Sequence, residues 1–197
     1  MSTPQRTAAD AAMDRYAAGD DAAFAVVYDA LAGRIFAYLR RSAGNQARAE
    51  DLVQQTFLHM HRARGTFVSG SAVVPWAYAI ARRLLIDDRR RDQRNILITA
   101  EGAADGALQA STEPGADDLL EADDLARRLT QRLAALPAMQ RAAFELIRFE
   151  GLSHAEAAEA LGVTVNSVKL RTHRALEALR DVLGEGQSAD EVEAERE

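Results

Sequence analysis

The sequence predicts an all-α protein: two small helical domains joined by an acidic, flexible linker. Three observations carry that prediction. Alanine is very frequent, while only 12 glycines and 4 prolines interrupt 197 residues, a balance that favours helix over most of the chain. Residues 95–122 hold six acids and no base, with small and turn-forming residues and no sustained apolar period, which reads as a linker. Residues 153–174 (SHAEAAEALGVTVNSVKLRTHR) join a helix-start signal, a glycine and a second helix-start signal, the pattern of two helices meeting at a tight turn.

Apolar spacing places four helices before the linker, near 10–18, 21–42, 45–64 and 75–91. Four more follow, near 117–135, 137–149, 153–161 and 165–183. The expected organisation is a first domain over 10–94, the linker over 95–122 and a second domain over 123–183. A disordered acidic tail is expected over 184–197.

In the third helix Ala49, Leu52, Val53, Thr56, Phe57 and Met60 fall on one face, the expected core side. Asp51, Gln54, Gln55 and Leu58 fall opposite. They form either an ordinary solvated stripe or a surface suited to a partner's helix. The fourth helix is expected to start with Pro75 in its first position. Trp76, Ile80 and Leu84 lie on one side of it, with Tyr78, Ala81 and Leu85 on another. Its arginines, Arg82, Arg83, Arg89, Arg90, Arg91 and Arg94, face Asp87, Asp88 and Asp92 in number. That balance fits a salt-bridged helix end or a phosphate-binding surface equally well. The preceding loop, Phe67 to Pro75 with Ser69, Gly70 and Ser71, has small residues and flanking aromatics. Beside an arginine-rich helix, it is suited to holding unstacked bases of a single strand.

The second domain carries the more specific signal. Ser153 and Glu156 form a capping box that starts a short helix, Gly162 supplies the turn and Thr164 caps the next helix. The combination favours a helix-turn-helix, whose second helix enters the DNA major groove, over a plain helical hairpin with a capped turn. Val165, Val168, Thr172, Ala175, Leu176, Leu179 and Leu183 form its expected core stripe. Asn166, Leu170, His173 and Arg174 point the other way, flanked by Ser167, Lys169 and Arg171. Leu170, apolar and opposite the core, is either an ordinary solvated leucine or, on a recognition helix, a side chain suited to a thymine methyl.

Composition limits the alternatives. The formal net charge of −6 fails the simple test for a nucleic-acid binder, but its distribution matters more. Residues 1–94 carry fourteen arginines against ten acids, and 123–183 nine bases against eight acids. The excess acid therefore sits in the linker and the tail. There is no cysteine, hence no disulfide framework, zinc ribbon or thiol nucleophile. Residues 1–15 lack an apolar signal core and no apolar run is expected to be long enough to span a membrane, so the chain is expected to be cytoplasmic. His59 and His61 are two apart on a helix and diverge. With His154 and His173 the only other histidines and no glycine-rich phosphate loop, no catalytic constellation and no cofactor site is expected.

In this order the segments resemble the group 4, or extracytoplasmic-function (ECF), sigma factors of bacterial RNA polymerase. The segments in the first domain are Gly19-Asp-Asp-Ala-Ala-Phe24, Ala49-Glu-Asp-Leu-Val-Gln-Gln-Thr-Phe-Leu58, Trp76-Ala-Tyr-Ala-Ile-Ala-Arg82 and Asp87-Asp-Arg-Arg90. In the second they are Leu133-Ala-Ala-Leu-Pro137, Glu150-Gly-Leu-Ser-His-Ala-Glu156 and Leu161-Gly-Val-Thr-Val-Asn-Ser-Val-Lys-Leu-Arg-Thr-His-Arg-Ala175. The resemblance implies sigma region 2 over 10–94 and sigma region 4 over 123–183. It implies a sigma factor that binds core RNA polymerase, recognises the −35 and −10 promoter elements and helps open the duplex.

Roles follow from the same resemblance. Asp51, Gln54, Gln55 and Leu58 match the surface that docks on the clamp of the polymerase's largest subunit, and region 4 meets the flap of the second subunit. Phe67, Ser69, Gly70 and Ser71, with Trp76, Arg82, Arg83 and Arg90, match the part that captures a flipped base of the −10 element. Thr164, Asn166, Ser167, Lys169, Leu170, Arg171, His173 and Arg174 belong to the helix that faces the −35 element. The acidic linker resembles the segment that threads the polymerase active-site channel and RNA exit path. The resemblance further implies a monomer when free and an anti-sigma partner, often a membrane-bound one. The chain departs from common family patterns at Gln54-Gln55 (often Gln-Glu), at Ile80-Ala-Arg-Arg83 (often ending in Asn) and at Asn166-Ser-Val168 (often Gly-Thr-Val). One alternative stays open on the residues alone, a stand-alone regulator that uses only the helix-turn-helix.

Overall fold

A computed structural model describes the backbone of residues 6–99 and 117–194, and the side chains of 6–94 and 126–180. The chain divides into two compact units, Met1–Ala110 and Ser111–Glu197. Every described element is helical, and no strand occurs among the described residues.

The first unit holds α1 (Ala8–Ala17), α2 (Phe24–Ala43), α3 (Gln46–Ala63) and α4 (Val73–Thr99), with single 3-10 turns at Asp21–Ala23 and Arg64–Thr66. Helix α1 starts two residues before its expected position because Thr7 caps it. The Thr7 hydroxyl accepts from the Asp10 N–H at 3.2 Å, and the Asp10 carboxylate accepts from the Thr7 N–H at 2.8 Å. Helix α2 is the centre of the unit and packs on α1, α3 and α4. Its stretch Asp21–Ala43 is long and apolar enough by composition to cross a membrane, with mean hydropathy 1.4, contrary to the expectation from sequence. Within it Val27, Leu31, Ile35 and Leu39 are fully buried among the neighbouring helices. Around them close Met13 and Tyr16 of α1, Leu52 and Met60 of α3, and Val73 and Tyr78 of α4.

The six α3 residues expected in the core are all buried. On α4 the Tyr78, Ala81 and Leu85 side is the buried one, while Trp76, Ile80 and Leu84 are half-buried. Pro75 is the third residue of α4, not the first. The first turn of a helix has no internal acceptors for its N–H groups, so proline is tolerated throughout it. At the far end α4 continues to Thr99, past the expected end at 91, since neither glycine nor proline interrupts 76–99. The linker centre, 100–116, lies outside the described residues.

The second unit holds α5 (Asp117–Ala135), α6 (Ala138–Arg148), α7 (His154–Leu161) and α8 (Val165–Ala194). Helix α8 is its spine and packs on α5, α6 and α7. Leu136, Phe144, Ala175 and Leu179 form one buried cluster, with Leu129, Leu133 and Leu176 packed against it. The backbone of α8 is helical to Ala194, beyond the expected end at 183 and into the segment expected to be a disordered tail. Gly184 and Gly186 cost about 1 kcal/mol each relative to alanine, a cost that a helix nucleated upstream absorbs. Residues 195–197 lie outside the described residues.

Candidate nucleic-acid interface

The α7–α8 turn is built from bonds between near neighbours. Ser153 Oγ accepts from the Glu156 N–H at 3.2 Å, and Glu156 Oε2 accepts from the Ser153 N–H at 2.8 Å, which closes the capping box. Gly162 adopts φ 65° and ψ 38°, the left-handed region that glycine enters without penalty. The Val163 N–H then reaches back to the Ala158 carbonyl at 3.0 Å and satisfies the end of α7. Thr164 Oγ1 accepts from the Ser167 N–H at 3.2 Å and starts α8.

These caps fix which face of α8 is outside. Val168, Thr172, Ala175 and Leu179 are buried, whereas Thr164, Asn166, Lys169, Leu170, His173 and Arg174 are exposed. Val165 departs from the expected core stripe and is 37% exposed. It is the first helical residue, and the packed stripe begins a turn later at Val168. Leu170 is 51% exposed, an apolar side chain amid polar and cationic ones. Arg171 and Ser167 are half-buried and bonded to each other, the arginine donating to the hydroxyl. His173 Nδ1 lies 3.7 Å from Glu177 Oε1. Phe149, at the end of α6, is 47% exposed and stands edge-on to Phe144 at 5.5 Å.

On α3, Asp51, Gln54 and Leu58 are exposed and Gln55 is half-buried. Gln55 Nε2 donates to Asp51 Oδ2 at 2.6 Å, so the amide and the carboxylate present themselves as one unit. Sequence reasoning missed an exposed aromatic packed against α3. Tyr28 of α2 is 44% exposed, and its ring lies 4.6 Å from that of Phe57, the residue next to Leu58. An exposed aromatic on a core helix shows up in sequence only once its neighbours are placed.

The loop between Thr66 and Val73 turns over Val68–Ser71, closed by the Ser71 N–H on the Val68 carbonyl at 3.0 Å. Gly70 sits at its bend with φ 87°. Val68 is 70% exposed at the tip, Ser69 and Gly70 are exposed and Ser71 is half-buried. Phe67 does not stand out as a stacking face. It is 8% exposed and packs edge-on against half-buried Trp76 at 5.2 Å, so its ring supports the root of the loop.

What holds this loop comes from α1 and was not anticipated. Asp10 Oδ1 accepts from the Val73 N–H at 2.8 Å and thereby caps α4, while Asp14 Oδ1 accepts from the Gly70 N–H at 3.1 Å. Burial pushes the Asp10 carboxyl up, but the N–H groups of Val73 and Thr7, the Thr7 hydroxyl and the nearby Arg6 more than offset this and lower its pKa. The Asp14 pKa is also lowered, chiefly by the Arg6 hydrogen bond and further by Gly70 and Ser69, against a smaller effect of burial.

The arginine-rich end of α4 sorts its charges by side. Asp88 and Asp92 turn inward to an ion pair with Arg48 of α3, and Arg89 donates to the Ser42 carbonyl. Arg83, Arg90, Arg91 and Arg94 are exposed, and Arg82 is half-buried. Asp87, 3.8 Å from Arg90, lines an open pocket of about 530 Å³ with Arg90, Arg91, Gln93 and Arg94. Two of the three acids are thus spent on tertiary structure, leaving a cationic outer face.

Residues 27–95 match the family Sigma-70 region 2, and residues 126–179 match Sigma-70, region 4. The ECF RNA polymerase sigma factor SigF of Caulobacter vibrioides is 35% identical over 91% of this chain and 96% of its own length. The chain belongs to the ECF sigma factors. The RNA polymerase sigma factor CarQ of Myxococcus xanthus is also 35% identical, over 88% of this chain and 96% of its own. SigW of Bacillus subtilis is 32% identical, over 84% and 91%. In fold the chain is similar to the sigma factor RpoE of Bartonella quintana, solved in complex with the anti-sigma factor NepR. That likeness has a TM-score of 0.64 at 24% identity and covers 82% of this chain and 96% of that one. An ECF sigma factor is a promoter-recognising transcription initiation factor. The α3 face, the 67–72 loop and α4 to residue 95 fall within the region 2 match, and the helix-turn-helix falls within region 4. Helix α1, which anchors the loop, lies before the region 2 match.

Proposed function

We propose that this ECF sigma factor divides its work among three surfaces and carries out no chemistry itself. Region 4, with boundaries at 123–183, reads the −35 element in the major groove through Asn166, Lys169, Leu170, His173 and Arg174. Arg171 and Ser167 act at its edge, and Thr164 sets the N-terminus of the reading helix. Region 2, over 10–94, docks on the polymerase clamp through Asp51, Gln54, Gln55 and Leu58. Its 67–72 loop (Ser69, Gly70 and Ser71 at the bend) receives an unpaired −10 base. Phe67 and Trp76 support the loop from below, and Arg82, Arg83 and Arg90 neutralise the strand's phosphates. Opening exchanges base stacking within the duplex for contact with protein, so both elements must be held at once by one polymerase.

The observation that carries this reading is the α8 face. A capped helix with one side packed leaves Asn166, Lys169, Leu170, His173 and Arg174 exposed together, at the end of the helix that enters the groove. Lys169 and Arg174 supply cationic affinity, and an exposed leucine supplies a contact that only a thymine methyl rewards. The same reading extends to a cytoplasmic location, to a flap contact by region 4 and to an anti-sigma partner that covers these surfaces.

Run-off transcription with purified core polymerase on genomic fragments tests it. We expect discrete new start sites that share two upstream elements. Replacing Leu170 and Arg174 together by alanine should reduce them at least about tenfold, from one lost methyl contact and one lost cationic contact. Unchanged promoter-specific transcription in that double variant would overturn the assignment of α8.

A further inference from the structure

We infer that Asp10 and Asp14 of α1 are positioning residues that set the shape of the 67–73 loop and so prepare it for strand capture. The inference rests on the reading of that loop as the trap for a −10 base. The two carboxylates stand one helical turn apart, and each receives one backbone N–H of the loop, from Val73 and Gly70 respectively. Their spacing on a rigid helix is thereby copied onto the loop.

Gly70 holds φ 87° at the bend where its N–H meets Asp14, and the space where a Cβ would stand is open. Glycine is present there for its backbone, not because a side chain would collide. A loop of serine, glycine and alanine has much conformational freedom to lose. Its one internal backbone bond, Ser71 to Val68, does not restrain the approach to α4. The anchors remove that freedom before DNA arrives, so the ordering cost is not charged to base capture. They also settle what the loop shows. Asp14 engages Gly70 and Ser69 from beneath, and Val68 is left outermost. Arg6, paired with Asp14, offsets the negative charge that would otherwise sit beside an incoming phosphate.

The test uses the full chain with core polymerase and compares Asp14→Ala with Asp14→Asn, since asparagine keeps an oxygen that can accept from Gly70. Three quantities are read: promoter opening by permanganate reactivity of unpaired thymines, affinity for core, and retention of a −35 duplex. Amide hydrogen exchange at Gly70 and Val73 is followed in the free protein. We expect Asp14→Ala to lower opening about tenfold, the order of effect of losing one hydrogen bond to a charged acceptor. Core affinity and −35 retention should stay unchanged, Gly70 exchange should quicken, and Asp14→Asn should restore most of both losses. Wild-type opening in Asp14→Ala, or an equal fall in both variants, would overturn the inference. If the wild type itself opens no promoter, the strand-capture reading fails, while an unaltered Gly70 exchange rate in Asp14→Ala would refute the anchor independently.

Discussion

The turn before α8 is held by side chains that bond to N–H groups three residues away, at Ser153, Glu156 and Thr164. The loop before α4 is held by carboxylates 56 and 63 positions away, on a helix that the family's region 2 match does not include. Both segments lead into a helix assigned to DNA, and both bend at a glycine with positive φ. Their proposed tasks differ, and so do their supports. A helix that reads an intact duplex needs only a rigid start and a packed back. A loop that receives an unstacked base must hold an irregular shape, which local caps do not specify. The difference predicts that the −35 reader tolerates change elsewhere, whereas the −10 loop depends on how well α1 is docked.

The largest expected effect follows directly. Asp10 is buried and accepts from three donors, including the Val73 and Thr7 N–H groups. Asp10→Ala should destabilise the first unit by about 3 kcal/mol, because the buried Val73 N–H loses its acceptor and the capping box of α1 is broken as well. Ser153→Ala removes one cap and should lower the second unit by about 1 kcal/mol. Trp76 is the only tryptophan and lies against Phe67 at the root of the loop, so its fluorescence reports urea unfolding of the first unit. Asp10→Ala should move that transition strongly and Ser153→Ala should leave it in place. Equal shifts would erase the contrast between remote and local support.

Acid should sharpen the same contrast reversibly. The pKa values of Asp10 and Asp14 are both lowered in the folded protein. Depressed values mean that these groups contribute stability that is fully present above the ordinary carboxylate range and is lost as the pH falls through their lower, folded values. The Trp76 signal should therefore stay constant from neutrality down to the ordinary carboxylate range and change only below it. Asp14→Asn should weaken the part of the change that belongs to Asp14. A loop transition near neutrality would show that a different group controls the anchor.

The same distinction explains what could be read from the residues alone. Ser153, Glu156, Gly162 and Thr164 reveal their roles because each partner lies within a few positions, and the α3 core face is visible because burial follows the helical period. Asp10 gives no such signal, since nothing local says that its second oxygen accepts from Val73. Phe67 matches the base-capturing part by resemblance, and its ring is buried against Trp76, because an aromatic flanking a loop serves packing as readily as contact. The arginines of α4 left a tie between solvation and phosphate binding. Only the inward turn of Asp88 and Asp92 toward Arg48 tilts it, and that too is a contact across helices.

The smallest expected effect concerns the packed back of the −35 reader. Thr172 is buried, and its hydroxyl has no hydrogen-bond partner among the described residues. In the first unit the comparable hydroxyl, Thr56 Oγ1, donates to the Leu52 carbonyl at 2.7 Å. An unpaired buried hydroxyl is destabilising, and valine keeps the branched shape without it. Thr172→Val should therefore stabilise the second unit by up to about 1 kcal/mol, read as a higher melting temperature by circular dichroism. Thr172 faces away from Asn166, Leu170, His173 and Arg174, so affinity for a −35 duplex should not change. A loss of stability would mean that the hydroxyl has a partner after all. A loss of affinity at unchanged stability would mean that the α8 core adjusts its outer face, and the −35 reader would then depend on its interior as the −10 loop depends on α1.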